Sequence, residues 1–121
     1  MHNTGFEKTV EEIFRERADA LFRTGEALSD ALRKLASIAE SIDNSIEDLD
    51  TLTENEEPSN VSTLHANINR QIFRYNRARE YAELRYCYLV ITREAMGFRR
   101  HEWVEKIYRI PPQEKVFEQN P

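Results

Sequence analysis

Helix breakers and chain staples are scarce in this 121-residue sequence: three glycines, four prolines and one cysteine. A single cysteine excludes an intrachain disulfide, and a reducing cytoplasm is the expected compartment. Cys87 lies in an apolar run and reads as a small buried hydrophobe, not as an activated nucleophile. The glycines are isolated from one another, which excludes a glycine-rich phosphate loop. The longest uncharged apolar-rich run, residues 86–92, is too short to span a bilayer. The N-terminus has no basic segment followed by an apolar one, so no signal peptide is expected. Positive charge is also in deficit. The net charge of −5 argues against a general nucleic-acid binder.

The charge is unevenly distributed. Residues 1–60 carry 6 basic and 15 acidic side chains, a net of −9, whereas residues 61–121 carry 11 basic and 7 acidic, a net of +4. Opposite halves can attract within one molecule or between two copies.

What the sequence does have is helical periodicity. Phe14, Ala18, Leu21, Gly25, Leu28, Leu32, Leu35, Ala39, Ile42, Ile46 and Leu49 follow one another in steps of three and four. No proline interrupts them, so they predict one long helix over about residues 6–53 that buries a stripe along its length. Thr9 with Glu12 has capping-box spacing, and Thr4 is the other candidate cap. Phe22, Ala31, Ala36 and Ile38 widen the stripe in the middle, and a wide stripe contacts more than one neighbour. Pro58, Ser59 and Asn60 mark a loop over 54–61, with Ser59 or Ser62 capping a second helix over 62–96. In that helix Arg79 and Arg93 occupy slots where the stripe would be apolar. A hairpin centred near Pro58 sets Gly25 against Ile91, Leu28 against Tyr88 and Leu35 against Tyr81. Gly97 then Phe98 read as a Schellman stop. A short third helix over 99–109 folds back on the open end, Pro111 and Pro112 end it, residues 113–118 form a further turn, and the C-terminal tail is loose. The expected fold is all-α: a long antiparallel, coiled-coil-like hairpin with a short third helix, in a single domain. Two such hairpins would make a dimeric four-helix bundle.

Catalytic chemistry finds little support. Neither His65 nor His101 has a glutamate three residues earlier, as carboxylate-bridged di-metal bundles require. The run His101-Glu102-Trp103-Val104-Glu105 resembles half of a zinc-protease motif, but the second histidine is replaced by Glu105. No catalytic residue, cofactor or metal ligand is assigned. Two basic features remain. Arg70, Arg74 and Arg77 lie at helical spacing around Tyr75. They either pair with the acidic stretch at Asp43, Glu47 and Asp50 or contact phosphate, and pairing is the simpler reading. Arg93, Arg99, Arg100, His101 and Trp103 form the other candidate patch, for an anion or an acidic partner. Against it, Trp103 suits the core and Arg99 and Arg100 suit ordinary surface. Arg93, if buried, needs a carboxylate, and Glu16 and Asp19 are the candidates.

Two stretches carry a resemblance. One is Glu12-Ile13-Phe14-Arg15-Glu16-Arg17-Ala18-Asp19-Ala20-Leu21, with Gly25 and Leu28 beyond it. The other is Arg93-Glu94-Ala95-Met96-Gly97-Phe98-Arg99, with His101, Val104, Tyr108, Ile110, Pro111 and Val116. Together they resemble a family of small bacterial helical proteins of unassigned function. The chain departs from that pattern at Pro112 and at Phe98, where leucine is expected. The resemblance implies a helical architecture and brings no activity. The leading expectation is therefore a non-enzymatic helical interaction or assembly module acting as a homodimer, with an unidentified protein partner as a further possibility. Nucleic-acid or anion binding through the arginines is one alternative. A bundle carrying a small ligand or metal near Tyr86, Trp103 and Tyr108 is another.

Overall fold

A computed structural model describes residues 4–52 and 58–116. Three helices follow in order, α1 (Thr4–Leu52), α2 (Pro58–Ala95) and α3 (Glu102–Ile107), with no strand among the described residues. The two long helices pack side by side as the antiparallel hairpin that the spacing predicts. Among the described residues no helix is long and apolar enough to cross a membrane.

The ends of the helices differ from expectation for local reasons. α2 begins at Pro58, not at residue 62. Proline suits the first helical position, because its fixed φ is already helical and an N–H there would lack a partner. Ser59 and Ser62 therefore lie inside the helix and do not cap it. Any cap before Pro58 lies outside the described residues. Thr9 is likewise interior, its hydroxyl donating to the Gly5 carbonyl at 2.9 Å.

The core runs along the hairpin as two clusters. In the larger, Leu35, Ile38, Ile42 and Leu49 of α1 meet Ile68, Ile72, Tyr75 and Ala82 of α2. In the smaller, Leu28 and Leu89 close over Val104 of α3. Leu35 is almost fully buried, so truncating it to alanine would cost about 2–5 kcal/mol. Polar groups set the register. The Ser41 hydroxyl donates to Gln71 Oε1 at 3.0 Å, and Gln71 Nε2 donates to Ser45 Oγ at 3.1 Å. That register lies close to the one expected, but the expected pairs do not form. Tyr81, Tyr88 and Ile91 point outward and are exposed, while Ala82 and Leu89 face α1. The run 86–91 is apolar on every side and so gave no phase from which to choose its inward face.

α2 ends in the Schellman geometry that Gly97 announces. Phe98 N–H donates to the Arg93 carbonyl at 3.0 Å, and Gly97 N–H donates to the Glu94 carbonyl at 3.0 Å. Gly97 has φ of +94°, a conformation that side-chain-bearing residues rarely adopt. α3 starts only at Glu102, because the preceding residues are held in an irregular corner.

Beyond α3 the chain is extended, and through Val116 it is tied down, in place of the turn expected from residue 113. Pro111 and Pro112 cannot donate, but their carbonyls accept from Arg79 Nε at 2.7 Å and from the Tyr75 hydroxyl at 3.4 Å. Asn76 then holds Glu114 by both backbone groups, each at 3.0 Å. This strap lies along one side of the hairpin. The expectation for residues 117–121 lies outside the described residues.

Candidate functional site

The corner between α2 and α3 is organised around Arg93. As the stripe predicts, its side chain is buried, at 8% exposure. Its partners are not the expected carboxylates. Nε donates to His101 Nδ1 at 3.2 Å and Nη2 donates to the Arg100 carbonyl at 3.0 Å. The guanidinium also lies over the Phe98 ring, 4.7 Å from its centroid, and 5.7 Å from that of Trp103. Glu16 and Asp19 are exposed and make no ion pair with it. A guanidinium is planar and weakly hydrated, so ring faces and carbonyls can take the place of a carboxylate.

His101 passes this arrangement on. Its Nδ1 accepts from Arg93, which puts the ring proton on Nε2, 3.3 Å from Glu94 Oε1. The residues expected as a binding patch thus divide. Arg93 and His101 build the corner. Arg99 and Arg100 are exposed, and Arg100 contributes its backbone carbonyl. Trp103 is 56% exposed and not core, because the short α3 buries only Val104.

Beside the corner is a cavity of about 420 Å³, where Ala18, Leu21 and Gly25 of α1 face Trp103 and Tyr108. The small residues of α1 make room for α3 here. A Cβ added at Gly25 would come within 3.3 Å of the Tyr108 hydroxyl. Burial pushes the Tyr86 phenol above its ordinary pKa, with the nearby Glu105 carboxylate adding to the effect. Cys87 is exposed, which corrects the expectation that it is buried. Among the described residues no group of three His, Cys, Asp or Glu side chains is placed to hold a metal.

A second concavity, of about 560 Å³, lies between α1 and α2 on the side away from the strap. Alanines floor it, and Lys34, Arg74, Arg77 and Arg85 surround it with Tyr81 and Asp30. Among the described residues Arg74 and Arg77 make no ion pair with Asp43 or Glu47, so that part of the expected pairing is not made; nor does Arg70, which lies outside the groove. Lys34 and Arg85 were not singled out from sequence. Arg85 did carry a signal, four residues after Tyr81 and three before Tyr88, because residues at those spacings meet on one helix face.

Comparison with family models, curated proteins and solved structures finds no match to this chain.

Proposed function

We propose that the chain is a non-enzymatic helical assembly module that works as a homodimer. One observation carries this reading: the apolar stripe of α1 runs on past the end of α2. Register places Ala95, the last residue of α2, near the level of residue 20 of α1. Roughly four turns of α1, about 24 Å, project beyond it. Residues 5–19 are exposed apart from Val10. Ile13 and Phe14 continue the stripe and are exposed, Phe14 at 64%.

A second copy of the chain is the occupant that fits. The projecting stripe alone offers a few hundred Å² at most, short of the ~800 Å² per partner that stable interfaces use. The outer face of α2 supplies more, through Leu84, Tyr88 and Ile91, all exposed. Its flank is basic and α1 is acidic, so two copies related by a two-fold axis set opposite charges across the contact.

Size-exclusion chromatography with light scattering tests the reading. The wild-type chain should run as a dimer at high micromolar concentration. Phe14→Asp should give a monomer with unchanged helical circular dichroism, because Phe14 is exposed and belongs to neither core cluster. A wild-type monomer at that concentration would overturn the proposal.

A further inference from the structure

We infer that the groove between α1 and α2 binds a small polyphosphorylated molecule through Lys34, Arg74, Arg77 and Arg85. The inference rests on the groove within one chain.

Charge is the first ground. The chain has 22 acidic side chains against 17 lysines and arginines. What sets the strap-free side of the hairpin apart is that four of these cations line one concavity. Lys34, Arg74 and Arg77 make no ion pair among the described residues. Asp30, the carboxylate lining the groove, is already taken by Arg33. Four cations from two helices therefore converge on one concavity with their charge unspent.

Preorganisation is the second ground. Arg85 lies over the Tyr81 ring at 5.4 Å and the Tyr88 ring at 5.8 Å, and its Nε donates to the Tyr81 hydroxyl at 3.0 Å. Those contacts fix the guanidinium plane and leave its two terminal nitrogens without a protein acceptor among the described residues. A planar fork held in this way matches the oxygens of a phosphoryl group. Charges supplied by both helices suit adjacent phosphates better than a single one.

Size and surroundings select the ligand. About 560 Å³ is within the range of small-molecule sites. A nucleic-acid strand would extend beyond the groove towards residues 40–52, which contain five acids and no base. Repulsion there favours a short ligand over a long polyanion.

Isothermal titration calorimetry at low salt tests this with inorganic pyrophosphate, adenosine triphosphate and a 20-mer oligothymidylate. Pyrophosphate and the triphosphate should both bind if phosphates alone suffice, and the triphosphate alone if its nucleoside is also read. Either result supports the site. Lys34→Gln and Arg74→Gln should each weaken binding about tenfold, the effect of losing one charge-assisted contact, while Lys106→Gln on α3 should leave it unchanged. Both groove substitutions are at exposed positions, and circular dichroism checks that they fold. Lys34 decides between a groove and a stripe, since it comes from the opposite helix. Unchanged affinity in Lys34→Gln, tighter binding of the oligonucleotide than of the triphosphate, or no binding of any probe would each overturn the inference.

Discussion

Arg93 Nε donates to His101 Nδ1 at 3.2 Å, and this bond joins the end of α2 to the start of α3. The same guanidinium reaches the Arg100 carbonyl and lies over Phe98. In a Schellman motif an apolar contact between the residue after glycine and the third-last helical residue is usual. Here the partners are Phe98 and Arg93, so a cation fills the place of a hydrophobe. Lysine cannot replace it. Its compact ammonium cannot span two acceptors while lying flat on a ring. Arg93→Lys should destabilise the chain by about 1–3 kcal/mol, the combined scale of a charged hydrogen bond and a partly buried cation–π contact. Urea unfolding measures this, and an unchanged midpoint would show that the corner contributes nothing to stability.

Gly25 and Tyr108 form a second coupled pair. Glycine inside a helix costs about 1 kcal/mol relative to alanine. The methyl of alanine at residue 25 would come within 3.3 Å of the Tyr108 hydroxyl, which is tight. Gly25→Ala alone should therefore gain less than the full propensity term. In a Tyr108→Phe background the obstructing oxygen is gone, and the same substitution should gain close to 1 kcal/mol. A double-mutant cycle by thermal or urea unfolding reads the difference. Strict additivity would mean that the hydroxyl moves aside at no cost.

The strap depends on Asn76, whose amide donates to the Glu114 carbonyl and accepts from the Glu114 N–H. Aspartate can still accept but cannot donate, and its charge would face the carbonyl oxygen. Asn76→Asp should speed hydrogen exchange at the Glu114 amide by about tenfold, the equivalent of losing roughly one net hydrogen bond. Amides in the middle of α2 should be unaffected. Equal protection in the two proteins would show that the two proline carbonyl contacts suffice to hold the strap.

These pairs show where the sequence was legible and where it was not. The hairpin follows from the seam 14–49 and its freedom from proline, and the stop at Gly97 follows from its neighbours. Both are local or periodic signals. Arg93 was recognisable as a buried cation from its place on the stripe. Its partners were not, because His101 and the Arg100 carbonyl reach it only through a turn whose path depends on the third dimension. Trp103 and Cys87 misled for one reason: apolar character was read as burial, although a six-residue helix and an outward α2 face cannot bury everything apolar. The groove needs Lys34 of α1 and Arg85 of α2 on one side of the hairpin, and that juxtaposition depends on how the two helices are rotated against each other, which the phase of either helix alone does not give.

Tyr75 links the strap to the solution pH. Its phenol is buried under the strap, and burial raises its pKa above the ordinary value near 10. Glu114, on the strap itself, raises it further, while Arg79 pulls it down. In the unfolded chain the same phenol titrates near 10. Above that pH the unfolded chain has lost this proton while the folded chain still holds it, so the unfolded state binds fewer protons and stability falls as pH rises. The contribution is complete below pH 10 and is lost as pH climbs through the raised folded value. Tyr75→Phe keeps the ring and removes the titrating group. Its unfolding free energy should decline less steeply than wild type between about pH 10 and 11.5. Glu114→Gln should reduce the slope in part, because it removes the smaller of the two causes that raise the pKa. Urea midpoints at half-unit pH intervals supply the comparison. Parallel curves for wild type and Tyr75→Phe would mean that the phenol is solvated in solution and that the strap does not cover it.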